Sequence, residues 1–216
     1  MSNKLNFFSK LSTFNRRRKY EYFMRSLQPS ENQTVLDIGF WNGDYAPEIN
    51  FLEKHYPHKE KIVALGLESD GKDNFEKLFP AVTVVTYDGY NFPFADNTFD
   101  FGWSNAVIEH VGGRDRQIHF VREMIRTCKN VFFTTPNKKF PFDLHSKLPF
   151  IHWFPKKTSD RMYQFFGKKW VTGDFMYLLT RRQIIDICRE AGAGQVIMKR
   201  NKLFGFTMDF SIILKK

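Results

Sequence analysis

Seven short apolar runs with strand-like character recur along the chain, and helical patterns separate several of them. The runs are TVLDIG (34–39), KIVALGLE (61–68), VTVVTYD (82–88), FDFGWSN (99–105), NVFFTTP (130–136), QVIMKR (195–200) and FTMDFSIIL (206–214). Strands that alternate with helices predict a mostly parallel, doubly wound α/β sheet of the Rossmann-like type, seven-stranded, with helices on both faces. No helical pattern separates the last two runs, so they are predicted to pair as an antiparallel C-terminal hairpin at one edge.

Three helical patterns are the clearest. Apolar residues recur at the spacing of one helix face over 20–27 and again over 118–128. The third helix has a capping box of Thr180 and Gln183 at its start and Gly192 at its end. These signals place helices before the first strand, before the fifth strand and before the sixth.

The length of 216 residues fits one compact domain, and we interpret residues 1–216 as a single domain. Residues 1–28 are interpreted as a basic, helical N-terminal segment. The stretch 137–179 interrupts the alternation, because it holds three of the nine prolines and many aromatic residues without a clean period. A connection of this length is rarely idle. We therefore interpret it as an insertion that caps the mouth of the sheet.

The net charge of +10 is unevenly distributed along the chain. Residues 1–28, 137–182 and 197–216 carry net charges of +6, +7 and +4, whereas residues 29–136 carry −6. Segregated basic segments are typical of a surface that meets nucleic acid, a phosphorylated lipid or sugar, or an anionic membrane. Basic helices that are simply solvated are the plain alternative.

Cysteine usage and the lack of long apolar runs bear on location. Cys128 and Cys188 are too few for a disulfide scaffold and favour a reducing compartment. No apolar run reaches the about 18 residues of a membrane span, and the N-terminus lacks a secretory signal pattern. The expected location is cytoplasmic, with membrane association left open. No metal-ligand spacing such as C-x-x-C occurs, so no metal site is expected.

The clearest candidate for a ligand site is VLDIGFWNG (35–43), an apolar strand that runs through Asp37, Gly39 and Gly43 toward a predicted helix. Such a turn presents backbone N–H groups and the positive end of a helix to a ligand. In dinucleotide folds the acid follows the glycines by about twenty residues, whereas Asp37 precedes them. A carboxylate at that place repels a pyrophosphate and attracts a cationic amino group.

From these residues onward the chain resembles the class I S-adenosylmethionine-dependent methyltransferases, whose pattern is an acid, any residue and then glycines. The likeness covers roughly 15–136. Glu68 in ALGLE stands where the family's acid holds the ribose hydroxyls, and Asp88 in YDGY stands where its acid meets the adenine amino group. The resemblance implies S-adenosyl-L-methionine as the cofactor. The residues implied to bind it are Asp37, Gly39, Phe40, Gly43, Glu68, Asp88, Gly89 and Asn105.

Two features depart from the family pattern. Trp41 stands where the middle glycine is common, and a bulky residue cannot adopt the positive φ of glycine cheaply. The loop is therefore predicted to follow a different path. The 31 residues between Asp37 and Glu68 also exceed the usual spacing, so the first helix or its following loop is predicted to be extended.

Methyl transfer from a sulfonium is an in-line displacement that depends mostly on positioning. If the acceptor is a hydroxyl, a general base adds about 10²–10⁴-fold. His110, after the fourth strand, and His145, with Asp143 nearby in the cap, are the two candidate bases. The alternatives are that His110 binds a loop and that His145 faces solvent.

The acceptor stays open at this point. Aromatic residues of the stretch 137–179 alternate with lysines, which suits a glycan or lipid-linked precursor, a single-stranded nucleic acid or a small aromatic acceptor. A small molecule or a glycan or lipid-linked precursor is the favoured acceptor, and a nucleic-acid methyltransferase is the less favoured one. Trp41 also keeps open a catalytically impaired scaffold that binds S-adenosylmethionine. The oligomeric state is not predicted.

Overall fold

The computed structural model describes residues 2–67, 71–143 and 146–216, with side chains described from residue 9 onward. These residues divide into two compact units. The first holds the chain up to Asn105 together with Arg126–Phe132, and the second holds Ala106–Ile125 and Phe133–Lys216.

Seven strands form one sheet in the order β3-β2-β1-β4-β5-β7-β6. The strands are β1 (Val35–Ile38), β2 (Ile62–Leu67), β3 (Thr83–Tyr87), β4 (Phe99–Asn105), β5 (Cys128–Pro136), β6 (Gln195–Leu203) and β7 (Phe206–Lys215). β1 pairs in parallel with both β2 and β4, and β2 pairs in parallel with β3. β6 and β7 form an antiparallel hairpin. The predicted sheet and its terminal hairpin are confirmed.

Six α-helices are described: α1 (Ser2–Leu27), α2 (Phe51–His55), α3 (Lys72–Leu78), α4 (Arg114–Thr127), α5 (Lys156–Phe165) and α6 (Arg181–Glu190). The capping box of Thr180 and Gln183 begins α6 as expected, and Gly192 follows its end at a φ of 95°. One helix boundary was wrong: Cys128 begins β5 and does not continue α4. No helix among the described residues is both long and apolar enough to cross a membrane.

The core of the first unit forms where α1 lies on the sheet. The Phe23 ring of α1 meets Trp103 of β4 edge-on at 5.2 Å and Phe132 of β5 at 5.5 Å, between ring centroids. Trp103 and Phe132 stack at 4.9 Å. All four residues of β1 are buried, so both faces of the sheet are covered there.

Part of the stretch 137–179 forms a small core of its own within the second unit. The side chains of Ile151, Tyr163 and Val171 cluster there, with Leu148 and Met162 against them. The Tyr163 and Ser159 side chains form the buried face of α5. The stretch is therefore folded in its own right, and its position over the mouth of the sheet stays a prediction.

A close approach inside the first unit depends on a glycine of β2. The Phe40 ring is buried, and a Cβ built on Gly66 would lie 2.4 Å from it. The same ring contacts Phe75 of α3, with 4.4 Å between ring centroids. The absent side chain at Gly66 is what lets the Phe40 ring lie on the strand.

We predict that Gly66→Ala lowers the free energy of unfolding by about 1–3 kcal/mol, because the added methyl overpacks the site. Denaturant unfolding followed by circular dichroism measures it. Gly113→Ala is the matched control, because a Cβ there meets nothing within 4 Å. Combining Gly66→Ala with Phe40→Leu should cost less than the sum of the two single changes. Additive costs would contradict the proposed contact.

Candidate cofactor site

The candidate site lies in the first unit, where four parallel strands end at one edge of the sheet. The register pairs Ile38 with Leu65, and Leu67 with Tyr87. Gly39 follows β1, Asp88 follows β3 and Asn105 ends β4, so the structure brings these three positions to the same edge. Ligands of open α/β sheets bind at this edge.

Asp37 lies beneath the loop at the end of β1 and contacts a second carboxyl group. Both Asp37 and Glu53 of α2 are buried, and Asp37 donates a hydrogen bond to Glu53. Burial, followed by the nearby Glu53 charge, raises the pKa of Asp37, and Arg16 opposes that rise. Burial also raises the pKa of Glu53. The pKa values of both carboxyl groups are therefore raised, which favours retention of a proton between them.

Glu53 was missed from the sequence. It directly follows the buried residues Phe51 and Leu52 at the start of α2, and an acid next to two apolar residues was the available signal. Its Oε1 has no hydrogen-bond partner among the described residues. A buried carboxylate oxygen without a hydrogen-bond partner is suited to accept a hydrogen bond from a cationic group of a ligand.

No helix follows Gly43 directly. The prediction that the glycine loop leads straight into a helix was therefore wrong. α2 begins only at Phe51, preceded by Asn50 in the left-handed conformation at a φ of 46°. Gly39 has a φ of 97°, as its conformational freedom allows, whereas Trp41 is not among the residues with positive φ. The loop therefore takes a different path from a glycine-rich one, as the sequence predicts.

Asn50 closes this loop. Its Oδ1 accepts a hydrogen bond of 3.0 Å from the Trp41 N–H, and its Nδ2 donates to the carbonyls of Trp41 and Gly43 at 2.8 and 3.2 Å. Because Asn50 follows Trp41 by nine residues, no local motif in the sequence points to this contact. The Trp41 N–H is therefore engaged within the protein, and the Trp41 side chain is 56% exposed.

Asp88 and Gly89 form a turn at the end of β3. One carboxylate oxygen of Asp88 accepts hydrogen bonds from the N–H groups of Tyr90 at 2.8 Å and Asn91 at 3.2 Å. Gly89 has a φ of 83°. Asp88 is exposed, and its second oxygen has no hydrogen-bond partner among the described residues.

Two predicted site residues, Glu68 and His145, lie outside the described residues. Gly43 lies in the loop that Asn50 closes, and Phe40 is turned inward onto Gly66. Asn105 is half-buried at the end of β4. The cofactor-binding roles of Phe40, Gly43, Glu68 and Asn105 remain predictions, as does the role of His145 as a base.

His110 lies in the second unit, in the short turn Ile108–His110. Its Nδ1 is 2.7 Å from the carbonyl oxygen of Phe175, and the two rings meet edge-on. A carbonyl can only accept, so Nδ1 carries the proton and Nε2 is the acceptor nitrogen of the neutral ring. The tautomer of His110 is therefore set by a backbone carbonyl.

A cavity of about 200 Å³ lies within the second unit. Three basic residues line it (Arg114, Lys138 and Lys156), together with polar groups that include His152 and Tyr163, and no acid is among the described lining residues. The Nε2 of buried His152 lies 2.7 Å from the Phe140 carbonyl, whereas its Nδ1 has no partner among the described residues. Burial lowers the pKa of His152, and Lys138 adds to that effect.

No group of three or more His, Cys, Asp or Glu side chains suited to a metal ion occurs in the part of the chain that the structure describes. Both cysteines are buried, and neither forms a disulfide. Burial raises the pKa of the Cys188 thiol to about 12, so it is not a nucleophile at neutral pH.

Comparison with known proteins shows which family part of the chain resembles. Residues 36–131 match a family model described as a methyltransferase domain. No curated protein matches the chain.

Solved structures share the fold at low sequence identity. A SAM-dependent methyltransferase from Methanosarcina mazei is 16% identical with a TM-score of 0.54, covering 87% of this chain and 94% of that one. One from Aquifex aeolicus is 18% identical with a TM-score of 0.56, covering 90% and 87%. A methyltransferase solved with the Haloferax volcanii Trm112 activator is 10% identical with a TM-score of 0.60, covering 96% and 92%. At these identities the likeness shows the fold alone.

The family match and the geometry point the same way. The matched residues begin within β1 and end within β5, so they contain the glycine loop, the Asp88 turn and the ends of four parallel strands. The strand order and terminal hairpin belong to the fold that the solved methyltransferases share. Residues 36–131 match the methyltransferase-domain model, and the chain shares its fold with solved S-adenosylmethionine-dependent methyltransferases.

Proposed function

We propose that this protein transfers a methyl group from S-adenosyl-L-methionine to a hydroxyl or similar acceptor on a small molecule or a glycan or lipid-linked precursor. The observation that carries the proposal is the edge at which β1, β3 and β4 end, where Gly39, Asp88 and Asn105 meet. When bound, S-adenosylmethionine supplies an electrophilic methyl on a sulfonium. The protein positions that methyl and the acceptor in line.

The residues at this edge fit the cofactor. Asp88 keeps one oxygen in its own turn and has a second oxygen to accept from the adenine amino group. Glu68 is proposed to hold the ribose hydroxyls on the strength of the resemblance. The unpartnered Glu53 Oε1 beside Asp37 supplies negative charge for the cofactor's amino group.

The buried carboxyl pair links cofactor binding to a proton. A cationic amino group beside Asp37 favours the ionised form of that carboxyl. Binding is therefore expected to favour loss of a proton from the pair. Affinity is expected to rise with pH until the pair is ionised in the free protein.

His110 is proposed as the general base, with His145 as the other candidate. Support for His110 comes from the Phe175 carbonyl, which fixes the Nδ1–H tautomer and so makes Nε2 the proton acceptor. In the proposed step Nε2 takes the acceptor's hydroxyl proton as the oxygen attacks the methyl carbon. The S–CH₃ bond breaks as the O–CH₃ bond forms.

The basic lining of the cavity in the second unit supports an acceptor that carries an anionic group. Arg114 already pairs with Glu190, and Lys156 lies 2.6 Å from Asp160. Lys138 has no ion pair among the described residues, and it lies beside the buried His152. A phosphate or carboxylate of the acceptor would be stabilised there by Lys138.

A scaffold that binds the cofactor without turnover is a second candidate. The observation in its favour is Asn50, which occupies the Trp41 N–H that a glycine loop would offer to a ligand. Calorimetry separates the candidates. Binding of S-adenosylhomocysteine together with transfer of labelled methyl supports the enzyme. Binding without transfer to any acceptor pool supports the scaffold.

We predict that Asp88→Asn weakens S-adenosylhomocysteine binding by about 10- to 100-fold while the chain stays folded. The amide oxygen can keep the turn, but the amide nitrogen cannot accept from the adenine amino group. Titration calorimetry measures the change, with circular dichroism as the check on folding. Asp115→Asn in α4 is the control, and Glu68→Ala should behave like Asp88→Asn. Normal affinity in Asp88→Asn would show that Asp88 only shapes its turn.

We predict that Glu53→Gln flattens the dependence of stability on pH. The folded-state pKa values of Asp37 and Glu53 lie above their ordinary values of 3.8 and 4.5. The stability they contribute is therefore present below those ordinary values and is lost as pH rises toward the folded-state pKa values. In the Glu53→Gln variant the new amide donates to an ionised Asp37, and less stability should be lost.

Thermal unfolding from pH 4 upward measures this effect, with the exposed Glu31→Gln as control. The same variant should abolish proton release on cofactor binding, which calorimetry in buffers of different ionisation enthalpy detects. Identical pH profiles for the wild type and Glu53→Gln would refute the shared proton.

We predict that His110→Ala lowers kcat by about 10²–10⁴-fold if the acceptor is a hydroxyl, with cofactor affinity unchanged. Labelled methyl incorporation into an acceptor extract measures turnover. His145→Ala is assayed in parallel, and His58→Ala is the control because His58 lies in the first unit, against Tyr56. If both His110→Ala and His145→Ala turn over normally, positioning alone carries the catalysis.

A further inference from the structure

The second unit exposes large aromatic side chains around the end of α5. Phe165, Phe166 and Trp170 are 85%, 52% and 54% exposed. We call these three residues, together with Lys168 and Lys169, the aromatic tip. Exposed aromatic groups this close together are unusual on a monomer and mark an interaction surface.

The backbone holds the aromatic tip in one compact loop. The Phe166 N–H donates to Met162 at 3.0 Å, and the Lys168 N–H donates to Tyr163 at 2.7 Å. Tyr163 and Val171 on either side are buried in the small core of this unit. The exposed rings are therefore presented by a folded support.

Positive charge surrounds the rings. Lys157, Arg161 and Phe165 follow each other at four-residue spacing along α5 and are all exposed. Lys168 and Lys169 continue this charge beyond the helix. None of these four basic residues has an ion pair among the described residues.

The acids of the same stretch are engaged elsewhere. Asp143 is buried and accepts from the Ser146 N–H at 2.9 Å. Asp160 pairs with Lys156, and Asp174 accepts from the Tyr177 hydroxyl. Residues 156–174 hold five basic residues against two acids, so the surface around the aromatic tip has a net positive charge.

We propose that the aromatic tip docks on the surface of an anionic phospholipid bilayer, with the rings in the interface and the lysines and Arg161 among the headgroups. Aromatic rings favour the depth of the headgroups, and basic side chains beside them are attracted to anionic lipid. Binding of this kind needs no spanning helix. The proposal goes beyond methyl transfer, and its test requires no activity.

Flotation of the full chain with vesicles tests the proposal. Binding is expected to phosphatidylcholine vesicles that contain phosphatidylglycerol, and much less to phosphatidylcholine alone. Phe165→Ser with Phe166→Ser should lower the partition coefficient by about tenfold or more. Lys168→Glu with Lys169→Glu should lower it by about tenfold, and salt should weaken the wild type.

A matched control lies in the turn between β6 and β7. Phe204 is 84% exposed and follows Lys202, so Phe204→Ser removes an equally exposed ring outside the aromatic tip. It should leave partitioning unchanged. An equal loss from Phe204→Ser, or no loss from the Phe165 and Phe166 changes, would overturn the assignment of the surface.

Tryptophan quenching by lipids with brominated acyl chains gives an independent measurement. Trp170 and Trp41 are almost equally exposed, at 54% and 56%. Trp170→Phe should remove the quenching, whereas Trp41→Phe should keep it. Binding to a single-stranded oligonucleotide that depends on the same residues, without vesicle binding, would replace the bilayer by a nucleic acid and refute the proposal.

Discussion

The burial of β1 on both faces determines where the candidate cofactor site lies, at the edge of the sheet where the parallel strands end. Both faces of β1 are covered and a parallel strand pairs with it on each side. A ligand can therefore approach this part of the chain only beyond the carboxyl end of the strand. The Asp37 carboxyl group is carried into the interior with it. Because an isolated buried charge is costly, this carboxyl needs a partner, and Glu53 of α2 takes that position as a hydrogen-bond acceptor. The proton between them is a consequence of the strand's place in the sheet.

The loop after β1 shows how a glycine pattern can be altered without losing an ordered turn. Phe40 turns inward because Gly66 leaves room for its ring, and Trp41 then points outward. Asn50 holds both the N–H and the carbonyl of Trp41. Two residues distant in sequence, Gly66 and Asn50, therefore stabilise a path that does not need the middle glycine.

The sheet, its terminal hairpin and α6 could be predicted because each has a local signal: apolar runs, an interval too short for a crossover helix, and a capping box. The late start of α2 could not, because Pro47 precedes it by four residues and a proline is also compatible with the first turn of a helix, so the sequence did not fix the start at Phe51. Gly66 within a strand did signal a close approach, but nothing local identified Phe40 as its partner. Asn50 and Glu53 act through contacts that only the folded chain creates. The roles of Asp88 and His110 came from resemblance and strand order, and the hydrogen bonds that hold them required the structure.

The lysines of the second unit lie in two different environments. Those in the cavity are proposed to recognise the acceptor, and those of the aromatic tip are proposed to dock on a membrane surface. Lys138 is half-buried beside His152 in a cavity, where a charge interacts more strongly and salt screens it less than on an exposed surface. Lys169 is exposed beside Trp170, where attraction depends on many charges and weakens with salt. A soluble anionic acceptor would depend on the first environment alone. An acceptor embedded in a membrane would depend on both, so the salt dependence of its methylation would exceed that of a soluble analogue with the same headgroup.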